Sequence, residues 1–128
     1  LLTHVSDVMR PIQDTPKVLA SATLAQVMKE MSAKGLGASA VISPENKVLG
    51  IFTDGDLRRL IESGQELLSL SAEKIMKPAP QTIYASALAV EAAQLMEEFR
   101  INSILVVNAH QELVGSLNTH DLLRAKVI

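Results

Sequence analysis

An internal repeat constrains this chain more than any other feature of its sequence. When the 128 residues are shifted by 65 positions, identical residues fall on one another without a gap. The aligned pairs are Met31 with Met96, Val41 with Val106, Gly50 with Gly115, Asp56 with Asp121, Leu57 with Leu122 and Arg59 with Arg124. Self-similarity of this kind is the signature of one supersecondary unit used twice. We therefore predict two related domains, residues 1–66 with an N-terminal lead-in and residues 67–128.

The start of each half carries a second repeated segment with a different offset. Val8-Met9-Arg10-Pro11 corresponds to Ile75-Met76-Lys77-Pro78, 67 positions further on. We call these two segments the lead-ins. The first half therefore has two extra residues between Pro11 and Met31. A difference in loop length explains them, because loops tolerate insertions better than helices or strands.

Hydrophobic periodicity predicts the same elements in both halves. A helix over residues 23–34 has one apolar face, and a helix in the second half repeats the spacing. The two faces consist of Leu24, Val27, Met28 and Met31, and of Ala89, Ala92, Ala93 and Met96. Pairs of short apolar runs, separated by polar turns, are predicted to form β-hairpins. These runs are Ala38 to Ile42 with Val48 to Thr53, and Ser103 to Val107 with Leu113 to Asn118.

The remaining elements complete one pattern per half. First strands are predicted at residues 17–20 and 81–84, and second helices begin near Asp54 and Thr119. The buried stripes of those helices are predicted to be Leu57, Leu60 and Ile61, and Leu122, Leu123 and Val127. The predicted fold class is α+β, with two β-α-β-β-α repeats packed as a pseudo-twofold pair.

The composition excludes several classes of function. A net charge of -2 and three aromatic residues make a poor surface for nucleic acid. The absence of cysteine rules out disulfides and thiol chemistry. The longest apolar runs are far shorter than the ~20 residues that span a bilayer. We therefore expect a cytoplasmic protein with no nucleic acid or membrane partner; because it begins at Leu1 and not at methionine, we also expect a preceding segment.

The motif Thr53-x-x-Asp56 lies at a predicted strand-to-helix junction and has two interpretations. In the first it is a capping box, in which each side chain satisfies a backbone amide of the helix start. In the second the helix N-terminus attracts a phosphate and the carboxylate takes both hydroxyls of a ribose. The second half has Asn118-x-x-Asp121, which keeps the carboxylate and replaces the hydroxyl by an amide. The first motif is therefore predicted to be the better phosphate site.

The order of these repeated motifs resembles a pair of CBS domains over essentially the whole chain. The resemblance is carried by the lead-in Asp7-Val8-Met9-Arg10-Pro11 and by the hairpins that close on Gly50-Ile51-Phe52-Thr53-Asp54-Gly55-Asp56-Leu57-Arg58-Arg59 and Gly115-Ser116-Leu117-Asn118-Thr119-His120-Asp121-Leu122-Leu123-Arg124. It implies a regulatory unit that senses a ligand. It also implies that Thr53 and Asp56 hold the phosphate and ribose of a nucleotide.

The resemblance adds further residues to the candidate site. The base of a nucleotide is expected against the first strand and the loop entering the second strand of each repeat. The expected ligand-binding residues are Thr53, Asp56, Asp54, Arg58, Lys17, Val18, Ala38 and Ser39 in the first repeat, and Asn118, Asp121, His120, Thr82, Ile83 and Ser103 in the second. For Arg58 the alternative is an ion pair with Asp54 on a solvated helix face. No catalytic and no metal-binding residue is predicted.

A narrower resemblance concerns the segment from Phe52 to Arg59 together with His120 to Ala125. These residues resemble the regulatory tail of bacterial arabinose 5-phosphate isomerases, which interconvert arabinose 5-phosphate and ribulose 5-phosphate for synthesis of the lipopolysaccharide sugar Kdo. The resemblance implies an N-terminal sugar isomerase domain in the same chain. It makes CMP-Kdo the expected ligand, with adenine nucleotides as the alternative. This 128-residue chain is itself expected not to be an enzyme.

The resemblance also implies a homo-oligomer, because CBS pairs often dimerise through helices and an isomerase regulated in this way would be oligomeric. The helix of the second repeat has many alanines, and small side chains allow another backbone to approach closely. Helix propensity alone is the alternative reason for these alanines. The alternative to a ligand sensor is that the whole chain is an oligomerisation scaffold that binds no ligand. In that case Thr53-x-x-Asp56 acts only as a cap.

Overall fold

The computed structural model describes residues 2–128. The elements it contains are α1 (Val5–Val8), β1 (Arg10–Pro11), β2 (Lys17–Leu19), α2 (Leu24–Lys34), β3 (Ala38–Ile42), β4 (Val48–Thr53), α3 (Asp54–Glu62), α4 (Ala72–Ile75), β5 (Lys77–Pro78), β6 (Thr82–Tyr84), α5 (Ala89–Phe99), β7 (Ser103–Val107), β8 (Leu113–Asn118) and α6 (Thr119–Arg124). The mixed fold of helices and two sheets confirms the predicted fold class.

One compact unit comprises Pro16–Pro80 and contains a sheet with the order β2-β3-β4-β5. Strand β2 is parallel to β3, which fits the βαβ connection through α2, and β3 and β4 form an antiparallel hairpin. The turn of the hairpin places Asn46 at a φ of 67°, in the left-handed region that asparagine tolerates well. The hairpin is as the sequence predicted, and the first strand lies within the predicted residues 17–20.

The other unit comprises the described part of Leu1–Thr15 together with Gln81–Ile128. Its sheet has the order β1-β8-β7-β6, again with one parallel pair and one hairpin. The lead-in strand β1 runs antiparallel to β8, where Pro11 lies opposite Gly115. In the same way β5 runs antiparallel to β4 in the first unit, where Pro78 lies opposite Gly50.

The compact units and the sequence repeats therefore divide the chain differently. The lead-in of the first repeat belongs to the unit that contains the second hairpin, and the lead-in of the second repeat belongs to the unit that contains the first. The two short lead-in strands and the one-turn helices α1 and α4 were not expected from the periodicity, because segments of two to four residues have no measurable period. The division into residues 1–66 and 67–128 stays a prediction.

The ends of α2 show why this segment is helical. The side chain of Thr23 accepts a hydrogen bond from the amide of Gln26, and the Gln26 side chain accepts one from the amide of Thr23. This capping box satisfies two amides that the helix start leaves unpaired. At the other end Gly35 has a φ of 64°, a left-handed conformation that terminates many helices.

Each unit contains a cluster of buried apolar side chains. In the first unit Leu24, Val27 and Met31 of α2 pack with Val41 and Phe52 of the sheet. In the second unit the equivalent helix α5 buries Ala89, Ala92 and Met96. These helix faces are largely those that the periodicity predicts.

Three apolar residues predicted to be buried are exposed instead. Met28 on α2, Ile61 on α3 and Leu123 on α6 have 40%, 57% and 51% of their surface accessible. Leu57 and Leu60 are partly buried, and Leu122 is fully buried. The side chains of these three residues lie outside the buried clusters, so the buried stripe of each helix is narrower than its apolar stripe, and the prediction was wrong for Met28, Ile61 and Leu123.

Candidate functional site

The first candidate site lies where strand β4 ends and helix α3 begins. The Thr53 hydroxyl accepts a hydrogen bond from the amide of Asp56 at 3.1 Å, and the Asp56 carboxylate accepts one from the amide of Thr53 at 3.0 Å. This is the capping box that the motif predicts. The structural interpretation of Thr53-x-x-Asp56 is thus confirmed, and it leaves the second interpretation open because a cap uses one carboxylate oxygen.

The other oxygen of Asp56 is bound by two cations. The guanidinium of Arg59 lies 2.7 Å from Asp56 Oδ1, and the ammonium of Lys77 lies 3.2 Å from the same atom. Burial raises the pKa of the Asp56 carboxyl, but the hydrogen bonds from Arg59, Thr53 and Lys77 outweigh burial and hold the pKa below its ordinary value. The carboxylate therefore stays ionised at neutral pH, with two cations against its Oδ1 atom.

Acid should weaken the structure around Asp56. Because the folded-state pKa is depressed, the stabilisation by this carboxylate is fully present above the unfolded-state pKa of about 4 and is lost as the pH falls through the lower folded-state value. Asp56→Asn should therefore flatten the dependence of the unfolding free energy on pH below about pH 5. Urea unfolding of both proteins across this range measures it. Equal slopes for variant and parent would contradict the assignment.

The strand residues expected in the first site meet at the same end of the sheet. Ala38 lies opposite Thr53, Ser39 lies opposite Phe52, and the amide of Asp54 donates to the Gly37 carbonyl at 3.0 Å. Ser39 is fully buried, and its hydroxyl donates a hydrogen bond to the backbone carbonyl of Ala40 in the same strand.

The first strand lies beside these residues. Lys17 and Val18 of β2 pair with Ala40 and Val41 of β3. The amide of Lys17 donates to Glu30 on α2 at 3.0 Å, which ties the strand to the helix. The sheet therefore brings Lys17, Val18, Ala38 and Ser39 close to the end where α3 begins, whereas Arg58 lies on the exposed face of that helix.

The second candidate site repeats this geometry at the junction of β8 and α6. Asn118 Oδ1 accepts from the amide of Asp121 and Asp121 Oδ2 accepts from the amide of Asn118, both at 2.9 Å. Two cations again bind the carboxylate: Arg10 through Nε at 3.0 Å and Nη2 at 3.3 Å, and Arg124 at 3.4 Å. Both side chains of this cap are buried, whereas Thr53 in the first site is partly exposed.

The neighbours of the second site follow the same plan. Ser103 lies opposite Asn118, and the amide of Thr119 donates to the Asn102 carbonyl at 3.0 Å. Thr82 pairs with Leu105 one strand further along, Ile83 lies in the buried cluster, and His120 is exposed on α6. The ring of His120 thus faces solvent at the start of the helix.

The alternative partner suggested for Arg58 is wrong. Arg58 does not pair with Asp54; its guanidinium lies 3.7 Å from Glu62, and both side chains are largely exposed. The (i, i+4) spacing toward the helix C-terminus keeps this pair on the outer face of α3. An exposed pair of this kind contributes little to stability.

The cations that hold the two carboxylates were missed by the sequence analysis. Arg59 and Arg124 are related by the 65-residue offset, and Lys77 and Arg10 by the 67-residue offset of the lead-ins. A basic residue repeated at both offsets is the signal that could have found them. This signal can be interpreted only once it is known that each lead-in joins the sheet that contains the hairpin of the other repeat.

Neither a membrane segment nor a metal cluster is found in residues 2–128. No helix in that range has the length and apolarity to cross a bilayer. The same residues contain no group of three or more metal-ligating side chains. Their buried side-chain polar atoms all have hydrogen-bond partners.

Comparison with known protein families gives two matches within this chain. The family described as CBS domain matches residues 5–63 and again residues 72–128. One range lies in each half of the sequence repeat, and residues 64–71 are left out.

Comparison with curated proteins finds arabinose 5-phosphate isomerases. The chain is 41% identical over its whole length to arabinose 5-phosphate isomerase KdsD of Pseudomonas aeruginosa and 38% identical to that of Escherichia coli strain K12. It spans 39% of the length of each of these relatives.

Comparison with solved structures shows the same fold. A crystal structure of CBSX2, a CBS-pair protein of Arabidopsis thaliana, in complex with AMP matches with a TM-score of 0.81. The match covers 98% of this chain and 96% of that one, at 24% sequence identity.

Proposed function

Because this chain belongs to the CBS domain family, we propose that it is the ligand-sensing regulatory pair of a sugar-phosphate isomerase. The identity of 35% to 41% to arabinose 5-phosphate isomerases, over the whole chain, supports this assignment. The isomerase would interconvert arabinose 5-phosphate and ribulose 5-phosphate in the cytoplasm, within the pathway to Kdo and lipopolysaccharide. Its catalytic residues would lie in an N-terminal domain of the same chain, and the whole protein would be a homo-oligomer.

The observation that carries the sensing function is the environment of Asp56. Its carboxylate lies at the start of a helix, next to two strand ends, with Arg59 and Lys77 beside it. A carboxylate can accept hydrogen bonds from both hydroxyls of a ribose, while the helix N-terminus and the two cations favour a phosphate. A ribonucleotide carries both groups.

The first site is proposed to be the stronger of the two. Donors from the described residues reach Asp56 Oδ2 through the Thr53 amide and Oδ1 through Arg59 and Lys77. At Asp121, Asn118 and Arg10 reach Oδ2, and Arg10 and Arg124 reach Oδ1. A carboxylate has about four acceptor positions. Three of them are used by the described residues at Asp56 and all four at Asp121, so only Asp56 can still accept a hydrogen bond from a ligand hydroxyl.

The ligand is proposed to be a nucleotide or a nucleotide-sugar. CMP-Kdo is the first candidate, because an end product of the proposed pathway would be a logical regulator and carries both a ribose and a phosphate. Adenine nucleotides are the alternative. Contacts to the base would come mostly from strand backbone near Ala38 and Lys17, which does not discriminate strongly between bases.

A thermal-shift screen tests the proposal. At least one of CMP-Kdo, CMP, AMP, ATP and S-adenosylmethionine should raise the melting temperature. A ligand at about a hundred times its dissociation constant adds about 2.7 kcal/mol, which corresponds to several degrees for a chain of this size. Inorganic phosphate and free ribose at the same concentrations are the controls. A flat response to all five compounds would favour the scaffold interpretation.

A further inference from the structure

The two carboxylates are held differently by their lead-in cations. Arg10 binds Asp121 in a bidentate manner, with Nε 3.0 Å from Oδ2 and Nη2 3.3 Å from Oδ1. Lys77 contacts Asp56 through its ammonium group, 3.2 Å from Oδ1. A planar guanidinium that matches both carboxylate oxygens fixes geometry as well as charge, whereas an ammonium group acts as a point charge. The first lead-in is therefore held in a defined orientation.

Burial increases the difference between the two ion pairs. The side chain of Arg10 is 20% exposed and that of Asp121 is 5% exposed, whereas Lys77 is 64% exposed. Solvent and salt screen the exposed pair strongly and the buried pair weakly. Removing Arg10 would leave a buried carboxylate with the exposed Arg124 and the capping amide.

The lead-in strand β1 is very short. It contains two residues, and one of them, Pro11, has no amide hydrogen to donate to β8. A second polar anchor is the hydroxyl of Thr15, 2.9 Å from the hydroxyl of Ser116, and both side chains are fully buried. The first repeat has Ile51 where the second has Ser116. The anchor to Thr15 is therefore specific to this strand.

We propose that the ion pair between Arg10 and Asp121 is a latch that holds the lead-in strand β1 against β8. In this role the carboxylate of Asp121 holds the lead-in of the first repeat in place, while the carboxylate of Asp56 remains available to bind a ligand. The duplicated motif thus has two different functions, one for binding and one for holding the chain. The latch goes beyond the proposed function, because it operates without any nucleotide.

Hydrogen exchange measured by NMR tests the latch. Arg10→Gln and Asp121→Asn should each speed exchange of the amides in residues 9–15 by about ten- to a hundredfold, the effect expected for loss of a charged hydrogen-bonded pair. Asp121→Asn keeps an oxygen for the capping bond to Asn118. The amide of Val5 donates to the Ala87 carbonyl at 2.8 Å, outside the latched segment, and should be unaffected.

Two further variants make the test specific. The double variant Arg10→Gln/Asp121→Asn should exchange no faster in residues 9–15 than the faster single variant, because both remove one interaction. Lys77→Gln is the matched control and should change exchange in residues 76–79 by less than about threefold. Unchanged exchange in Arg10→Gln, multiplicative effects in the double variant, or equal acceleration at the buried Val106 would each overturn the latch. No nucleotide is present, so a failure of the ligand screen leaves this result unaffected.

Discussion

Replacing Asp56 by alanine should weaken ribonucleotide binding by about ten- to a hundredfold. The change removes a charged acceptor for a ribose hydroxyl, and hydrogen bonds to charged groups contribute roughly 1.5 to 3 kcal/mol. The carboxylate is held in place by Arg59 and Lys77, so its loss also removes the group that orients these cations. Titration calorimetry with the compound that gives the largest thermal shift measures the change.

Asp121→Ala is the matched control and should cost less affinity, since Arg10 and Arg124 already occupy that carboxylate. Both substitutions remove one half of a capping box, which destabilises the fold by about 1 kcal/mol, and Asp121→Ala also removes the ion pair with Arg10. The melting temperature of each variant without ligand must therefore accompany its affinity. Normal binding by Asp56→Ala with loss of binding in Asp121→Ala would reverse the assignment of the two sites. Normal binding by both would leave capping as their only role.

Gly115→Ala should destabilise the chain by about 1 to 3 kcal/mol, the usual cost of forcing a methyl group into a packed site. A Cβ at this position would lie 2.5 Å from the carbonyl oxygen of Arg10 and 2.8 Å from the sulfur of Met9. The backbone of β1 would have to move away from β8. Thermal unfolding should show a fall in melting temperature of roughly 5 to 15 °C.

Gly55→Ala provides the contrast for this substitution. Gly55 lies in the first turn of α3, and an added Cβ would meet the flexible guanidinium of Arg59 at 3.4 Å. Alanine favours the helix over glycine by up to about 1 kcal/mol, so this variant should be as stable as the parent or more stable. If Gly115→Ala melted at the parent temperature, the close approach of the lead-in to β8 would be contradicted.

The regular elements of the chain could be predicted because each has a period and a boundary signal. The four hairpin strands match their predicted bounds, and α2 begins directly after Thr23. The repeat strengthened these predictions, since each pattern was observed twice. The cap at Thr53 and Asp56 was also predictable, because both partners lie within one turn of the chain.

The partners of the two carboxylates were not predictable in the same way. Arg10 and Asp121 are separated by 111 residues, and Lys77 reaches Asp56 from the lead-in of the other repeat. A contact of this kind depends on which sheet a two-residue strand joins, and so short a strand has no pattern that reveals it. Gly50 and Gly115 indicate where the lead-ins pack only once the structure is known, since a Cβ at either position would collide with a lead-in.

The exposed apolar residues show a second limit. Ile61 and Leu123 continue the apolar spacing of α3 and α6, yet both are exposed. Periodicity identifies a face that is suitable for burial but does not tell how much of a short helix the sheet covers.

The cap of α2 is not repeated in the second half of the chain. Leu88 stands at the position that corresponds to Thr23, and α5 begins without a side-chain cap.

An NMR titration of the ¹⁵N-labelled chain with CMP-Kdo and, separately, with AMP tests the ligand-sensing role. At least one of them should cause saturable shifts, largest at the amides of Thr53 to Asp56, with smaller shifts at Ala38 and Lys17 on the neighbouring strands. Amides near Leu88, at the uncapped start of α5, should not move. Unchanged spectra at millimolar nucleotide, or shifts confined to residues away from Asp56, would contradict a ligand-sensing role for this site.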